Sequence, residues 1–446
     1  MYIKKLNLTN FIGLSREIEF SPRFNIIIGV NGSGKTRVLE ALRLLLSDLI
    51  PRFAAARVPG RYNKNRSNIS IDEISFGKEF LMADIFFTSV DNIDYRYEVE
   101  HKKSSLSTYA QLNKKIYANF GKLTPAKPES YFVELQNSKN QPLALFYSAK
   151  RMGEKYKTLG YAVKKEEYNN GYFLCLHPDG DMFSGIDIWW MNKEALTEDK
   201  QLDSVRNAMK IIFPEIVDWS IFDHELHFQK IFKVTRLNSE TGESFEQEER
   251  ASFRFKDLSH GEQTMALFGL DIARRLAQLN PFESDPISNG CGIVLIDELD
   301  LHLHPQWQRR IVECLCKAFP KLQFICTTHS PFLIQSQRIG NLIRLDEDGN
   351  EEVAAVQFNQ QSIEDIVEDV QGVELPQKSK RYLDMMKAAE HYYRRLHEIA
   401  DESDPQLTTL RKRLDELSIP FGDDPAFAAL LKYEKETVAT DKARMP

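Results

Sequence analysis

The chain has 446 residues and a formal net charge of −7, with 58 basic against 65 acidic side chains. That length allows about two to three domains, and the acidic balance excludes a global basic field drawing the whole surface to nucleic acid. The five cysteines, Cys175, Cys291, Cys314, Cys316 and Cys326, include no C-x-x-C pair, which excludes a zinc ribbon or a redox dithiol. Cys291 and Cys326, at or in apolar runs, read as buried thiols of a reducing compartment. Met1 to Lys5 lacks the apolar core of a secretion signal, and no apolar run reaches membrane-spanning length, so the expected location is the cytoplasm.

Residues 2–8 alternate as an edge or half-buried strand, and Arg16 to Phe20 reads as a second strand. Asn25 to Ile28 is apolar and β-branched, as a buried strand should be. Gly29-Val30-Asn31-Gly32-Ser33-Gly34-Lys35-Thr36 follows and fits G-x-x-x-x-G-K-[ST], and Thr36 to Leu49 carries leucines at helical spacing. Strand, glycine loop and helix together aim several backbone N–H groups and a helix N-terminus at one anion. Asn31, Gly32, Ser33, Gly34 and Lys35 are thus candidate phosphate contacts, with Lys35 as a point charge on the β- and γ-phosphates of ATP. The Thr36 hydroxyl is a candidate ligand for Mg²⁺.

Pro51 to Ser70 is basic and turn-rich, Phe80 to Val99 reads as a hairpin, and Leu143 to Tyr147 is another apolar strand. Val205, Met209, Ile212 and Phe213 mark an amphipathic helix stopped by Pro214. Trp219 to Val234 alternates like strands, and Asn238 to Glu249 reads as a hairpin tip. Leu258-Ser259-His260-Gly261-Glu262-Gln263 opens a helix with a serine cap; Leu267 to Leu279 is helical. Ile293 to Ile296 is a buried strand ending in Asp297-Glu298. Trp307 to Phe319 reads as one helix and Gln323 to Cys326 as a further strand, followed by Thr328-His329. Strands alternating with helices imply a parallel sheet under covering helices, an α/β fold. Asp297 at a strand end can hold Mg²⁺ beside Thr36, and Glu298 is placed to deprotonate a water attacking the γ-phosphate. After Val373, stripes at Met385, Ala389, Tyr392, Leu396 and Ile399, then Leu407, Leu410, Leu414 and Leu417, describe a small helical appendage that is either a cap on the core or a docking surface. The expected division is 1–150, a first ATPase lobe with a β insertion; 151–257, a middle lobe; 258–372, a second ATPase lobe; and 373–446, a helical C-terminal region.

The order glycine loop, serine–glycine–acid turn, strand-Asp-Glu, strand-Thr-His resembles the ATP-binding cassette (ABC) family, in its SMC, RecF and OLD-like branch. Asn10-Phe11 with Phe20 is similar to that branch's opening. The resemblance implies an ABC-type P-loop fold with helical and β lobe insertions. It also implies two copies closing on two ATP molecules, Ser259, Gly261 and Glu262 of one meeting the nucleotide of the other. His329 matches the switch histidine that senses the γ-phosphate, and Asp300 takes the D-loop position; Gln136 and Gln141 both remain candidates for the Q-loop glutamine. His260 stands where the family commonly has glycine. His302, His304 and His329 do not have zinc-site spacing, and His302-Leu303-His304-Pro305 with Trp307-Gln308 is similar to D-loops of OLD-like defence ATPases. The chain lacks the long heptads of an SMC arm and the Toprim domain of an OLD nuclease; Asp346-Glu347-Asp348 with Gly349 and Asn350 reads as a turn.

What is left resembles the PtuA family of Septu anti-phage systems, also found with retrons, in Leu143 to Arg151, His302 to Trp307 and Phe421-Gly422-Asp423-Asp424-Pro425. That likeness implies a separate HNH nuclease of the PtuB type as partner, with contact to DNA within the complex, and no membrane partner. The alternatives from sequence are a RecF-like ATPase that clamps DNA, the ATPase of a PARIS-type system, and a scaffold that binds ATP but hardly turns it over.

Overall fold

The computed structural model describes residues 1–54, 69–90, 92–103, 111–118, 141–152, 171–172, 175–177, 186, 189–190, 193, 200–222, 225–237, 244–346, 349–353, 358–359, 361–373, 380–398 and 405–418. Gln136, most of the basic 51–70 loop, the 238–243 hairpin tip and the 421–425 segment lie outside them. The chain forms two compact units, Met1–Ile366 and Val367–Pro446.

In the first unit the chain begins with β1 (Tyr2–Phe11), β2 (Leu14–Glu19) and β3 (Phe24–Ile28), followed by helix α1 (Lys35–Ala54). Next come β4 (Phe80–Thr88), β5 (Asp94–Lys102), β6 (Gln111–Ala118) and β7 (Leu143–Tyr147). Helix α2 (Lys200–Ile212) leads to β8 (Ile216–Phe222), β9 (Glu225–Leu237) and β10 (Ser244–Arg254). Then follow α3 (His260–Leu279), α4 (Pro286–Asn289), β11 (Gly292–Ile296), α5 (Pro305–Gln308), α6 (Ile311–Ala318), β12 (Leu322–Thr327), α7 (Pro331–Ser336), β13 (Asn341–Asp346) and β14 (Gly349–Val353), and the boundary between the two units falls within α8 (Ile363–Gln371).

Three sheets result. One is antiparallel, ordered β2-β1-β4-β5-β6, so β1 lies between two neighbours and is the half-buried strand, not the edge, of the two readings its alternation left open. A second, β10-β9-β8, is also antiparallel; residues 244–249, read from sequence as part of a tip, belong to strand β10. The third is ordered β14-β13-β3-β12-β11-β7 and is parallel except for β14. Every residue of β3, β7, β11 and β12 is buried, the continuous apolar pattern of strands covered on both faces. The buried Gln323 amide links this sheet to the first, accepting from the Ile3 N–H and donating to its carbonyl, both at 2.7 Å. Of the two thiols expected to be buried, Cys326 is, whereas Cys291 is half-buried.

Helix α3 is buried along most of its length and carries a charged cluster into the core. Asp271, fully buried, accepts from the Tyr147 hydroxyl at 3.0 Å, from Arg274 at 2.7 Å and from Arg275 at 2.9 Å. Burial and then the Asp271 charge raise the Tyr147 phenol well above its ordinary value, so it stays a donor. Asp271→Ala would strand two buried guanidinium groups and is expected to cost about 3–5 kcal/mol, read as a lower urea midpoint. An unchanged midpoint would mean that the cluster is already compensated by water.

The second unit contains helices α9 (Lys380–Glu398) and α10 (Pro405–Ser418), both where leucine-type stripes predicted helices. Met385, Ala388, Ala389, Tyr393, Leu396, Leu407 and Leu414 form its buried cluster.

Candidate nucleotide site

The C-terminal ends of three adjacent parallel strands, β3, β12 and β11, converge, which is where open α/β sheets bind ligands. From β3 the chain turns through residues 29–34 into α1. Gly29 has φ +145°, and a Cβ there would stand 2.6 Å from the Leu345 carbonyl oxygen and 2.9 Å from Ser33 Oγ. Gly34 has φ +99°, and its Cβ would meet Leu14 Cδ2 at 2.8 Å. Neither position admits a side chain, so the loop closes tightly on the first turn of α1, whose N–H groups lack intrahelical partners. Ser33 Oγ is buried with no hydrogen-bond partner, a polar atom in the loop that a phosphate oxygen would satisfy.

Lys35 is buried, and its ammonium donates to the carbonyls of Gly29 at 2.8 Å and Val30 at 2.9 Å. Burial lowers its proton affinity below the ordinary lysine value, and the nearby Asp297 and Glu298 charges oppose this. The Thr36 hydroxyl lies 3.1 Å and 3.3 Å from the two Asp297 oxygens. A hydroxyl beside a buried carboxylate is a hard-oxygen set of the kind Mg²⁺ takes.

Asp297 follows β11 and is held on three sides. Its N–H donates to the Tyr147 carbonyl at 2.8 Å, and its Oδ1 accepts from Thr327 Oγ1 at 2.7 Å as well as from Thr36. The same Thr327 hydroxyl accepts from the Glu298 N–H at 2.8 Å. Glu298 is half-buried with φ +51°, a left-handed conformation that this hydrogen bond helps to hold. Thr327 was not singled out from the sequence; a β-branched residue in an apolar run reads as a strand former, and only the β11–β12 pairing shows its second role.

His329 lies half-buried after β12. Its N–H donates to Asp300 Oδ1 at 3.3 Å, and Thr328 Oγ1 donates to the same oxygen. Burial, and after it the Lys35 charge, push the imidazole below its ordinary value, outweighing Asp300, Glu298 and Asp297, so at neutral pH it is uncharged.

The 259–262 turn is arranged differently. Ser259 caps α3: its Oγ accepts from the Glu262 N–H at 3.3 Å, and Glu262 Oε2 accepts from the Ser259 N–H at 3.0 Å and hydroxyl at 2.8 Å. This is a reciprocal capping box. Lys230 on β9 pairs with Glu262 Oε1. Burial raises the Glu262 carboxyl, but the Lys230 and Ser259 hydrogen bonds outweigh it and hold the group below its ordinary value. Ser259 and His260 are exposed, and Gly261 packs on the backbone of residues 302–304. Among the described residues no hydrogen bond joins this turn to residues 29–36. The structure therefore brings Lys35, Thr36, Asp297, Glu298 and His329 together and leaves Ser259, Gly261 and Glu262 on a separate turn, of which Ser259 is exposed and Gly261 buried.

Gln141 does not reach the site. Parallel register sets Leu143 opposite Gly292 and Tyr147 opposite Ile296, so Gln141 sits beyond the end of β7 opposite to the one that Asp297 follows. Its N–H is bound to Asn280 Oδ1 at 3.0 Å.

Comparison with known proteins gives the family. The family described as "AAA domain, putative AbiEii toxin, Type IV TA system" matches residues 24–335, well over half of the chain. Septu protein PtuA of Bacillus thuringiensis is 26% identical over 391 residues, spanning 84% of this chain and 85% of that protein. The "Retron Ec83 probable ATPase" of Escherichia coli is 26% identical over 406 residues, spanning 76% of this chain and 70% of that protein. Among solved structures, an SMC head bound to the C-winged helix domain of ScpA covers 79% of this chain and 97% of its own, at 15% identity and a TM-score of 0.46. In described helices, no segment is long and apolar enough to cross a membrane. With glycine loop, acidic strand end and family match in agreement over the same residues, the chain belongs to this AAA-domain family and is one of its P-loop ATPases.

Proposed function

We propose that the chain binds and hydrolyses ATP with Mg²⁺ between two of its own copies, in the cytoplasm, and that its nucleotide state regulates a separate HNH nuclease in an anti-phage complex. The observation that carries the catalytic part is the hydrogen-bonded run Thr36–Asp297–Thr327–Glu298, which joins the start of α1 to the adjacent ends of β11 and β12. In this reading Asn31, Gly32, Ser33 and Gly34 surround the phosphates and Lys35 turns from the loop carbonyls to the β- and γ-phosphates. Thr36 and Asp297 are the residues that would hold Mg²⁺, which neutralises charge on the β- and γ-oxygens when bound. Glu298 orients and deprotonates the attacking water, and neutral His329 donates to the γ-phosphate.

Ser259, Gly261 and Glu262 serve the nucleotide of the second copy. The exposure of Ser259, and a hydroxyl that among the described residues is bonded only within its own turn, support a role in trans. Residues 1–150 and 258–372 supply the nucleotide machinery, 151–257 forms the lobe bearing the β8–β9–β10 sheet, and 373–446 docks the nuclease. The likeness to a Septu protein and a retron ATPase supports the defence setting.

Light scattering of the purified chain with and without Mg²⁺-ATP, beside pull-down of a co-expressed HNH nuclease, tests this. Mass should double with nucleotide, and deletion after Val373 should abolish nuclease capture while ATP-dependent doubling persists. A chain that stays single under saturating ATP overturns the shared site. Tight DNA binding by the chain alone, weakening steeply with salt, would instead favour a RecF-like clamp.

A further inference from the structure

Gln308 closes α5, four residues after His304, and its side chain turns back onto the segment that follows Glu298. Its Nε2 donates to the Leu303 carbonyl at 2.8 Å and to the Asp300 carbonyl at 3.4 Å, while its Oε1 accepts from Ser330 Oγ at 2.6 Å. The amide orientation follows from chemistry: two carbonyls accept only from the NH₂ end. Ser330 Oγ also accepts from the Leu333 N–H at 3.2 Å, which leaves its proton for Gln308. Gln308 thus bridges two segments, the 300–303 turn and the 328–330 segment that contains His329.

Other hydrogen bonds hold each segment and some already join the two: the Leu299 N–H donates to the Thr327 carbonyl at 2.9 Å and the Thr328 hydroxyl donates to Asp300 Oδ1. The turn has Leu301 N–H on the Glu298 carbonyl and Leu303 N–H on the Asp300 carbonyl, each at 3.0 Å, with His302 at φ +66°. The switch segment has the His329 N–H on Asp300 Oδ1 at 3.3 Å and the Ser330 N–H on Thr328 Oγ1 at 3.0 Å. The far side of the turn abuts the serine turn: a Cβ on Gly261 would lie 3.3 Å from the His302 carbonyl oxygen.

We infer that Gln308 is a positioning residue that clamps the 300–303 turn to the 328–330 segment, so that the pose of His329 follows the 259–262 turn on the other side. The inference rests on the ATPase reading above. If 259–262 meets the nucleotide of a second copy while His329 meets its own, this clamp is a direct mechanical link between the two sites. It acts through His329 and Asp300 and touches no nucleotide itself.

The variant Gln308→Met keeps the volume and removes both donor and acceptor. Hydrogen exchange on the chain without nucleotide should quicken about tenfold at the Leu301, Leu303 and His329 amides, as expected for loss of one well-made hydrogen bond, with β11 and β12 unchanged. In turnover assays kcat should fall about tenfold while affinity for a non-hydrolysable ATP analogue stays within about twofold, a split that general destabilisation would not give. Unchanged exchange at those three amides, or a uniform rise that includes β11 and β12, overturns the clamp. If Gln308→Met does not fold, Gln308→Glu keeps the acceptor for Ser330 but cannot donate to the two carbonyls, and the same amides decide. A parent chain without Lys35-dependent turnover would sink the ATPase reading, whereas the exchange arm still judges the clamp.

Discussion

Glu298→Gln is expected to bind ATP at close to the parent affinity and to hydrolyse it about 10²–10⁴-fold more slowly, the range for removing a positioned general base. The substitution preserves shape. It also preserves the backbone hydrogen bond from residue 298 to Thr327 Oγ1 at 2.8 Å, so the left-handed conformation persists. Only the ability to accept a proton is lost. Because the γ-phosphate then remains in place, the variant should accumulate as an ATP-bound pair, visible as a doubled mass that outlasts removal of free nucleotide. Parent-rate turnover by this variant would hand the base to another group.

Lys35→Ala should abolish measurable nucleotide binding, an affinity loss of about 10²–10³-fold, through loss of a partly desolvated charge-assisted contact to phosphate. Lys35 is buried and bonded to the Gly29 and Val30 carbonyls, so its removal also frees two acceptors that shape the loop. Calorimetric titration with ATP reads the result directly. The melting temperature should fall only modestly, because two loop carbonyls lose their donor while the buried ammonium that burial disfavours is removed with it. Unaltered ATP affinity would refute the loop as the phosphate site.

Much of the candidate nucleotide site was legible from contiguous residues. The run Asn25 to Thr36 encodes strand, turn and helix in one stretch, so the backbone N–H groups proposed to face phosphate need no distant partner. Ile293 to Glu298 is equally local, an apolar strand delivering two carboxylates to its end. Helix boundaries were less legible. The single helix expected over Trp307 to Phe319 is two, α5 and α6, separated at Arg309 and Arg310. There the Arg310 N–H bonds back to the Trp307 carbonyl at 3.0 Å, a tighter turn than an α-helix makes. Gln308, one residue before the break, sends its amide to the turn carbonyls instead of to solvent. Periodicity could not announce this contact, since its partner, the α7 cap Ser330, lies 22 residues further along the chain.

The same limit explains Gln141 and Thr327. Sequence proximity to a strand made Gln141 a candidate, but the direction and register of β7 put it at the wrong end of the sheet. Thr327 looked like one more β-former, yet β12 runs between β3 and β11, so its hydroxyl meets both Asp297 and the Glu298 backbone. Amino-acid order alone determined the glycine loop, the acidic strand end and the helical tail, because each is specified by residues adjacent in the chain. Only the folded chain decided which strands are neighbours, and hence which hydroxyls and carbonyls hold the two carboxylates and the histidine in place; such contacts join residues tens to hundreds apart, and no local pattern records them.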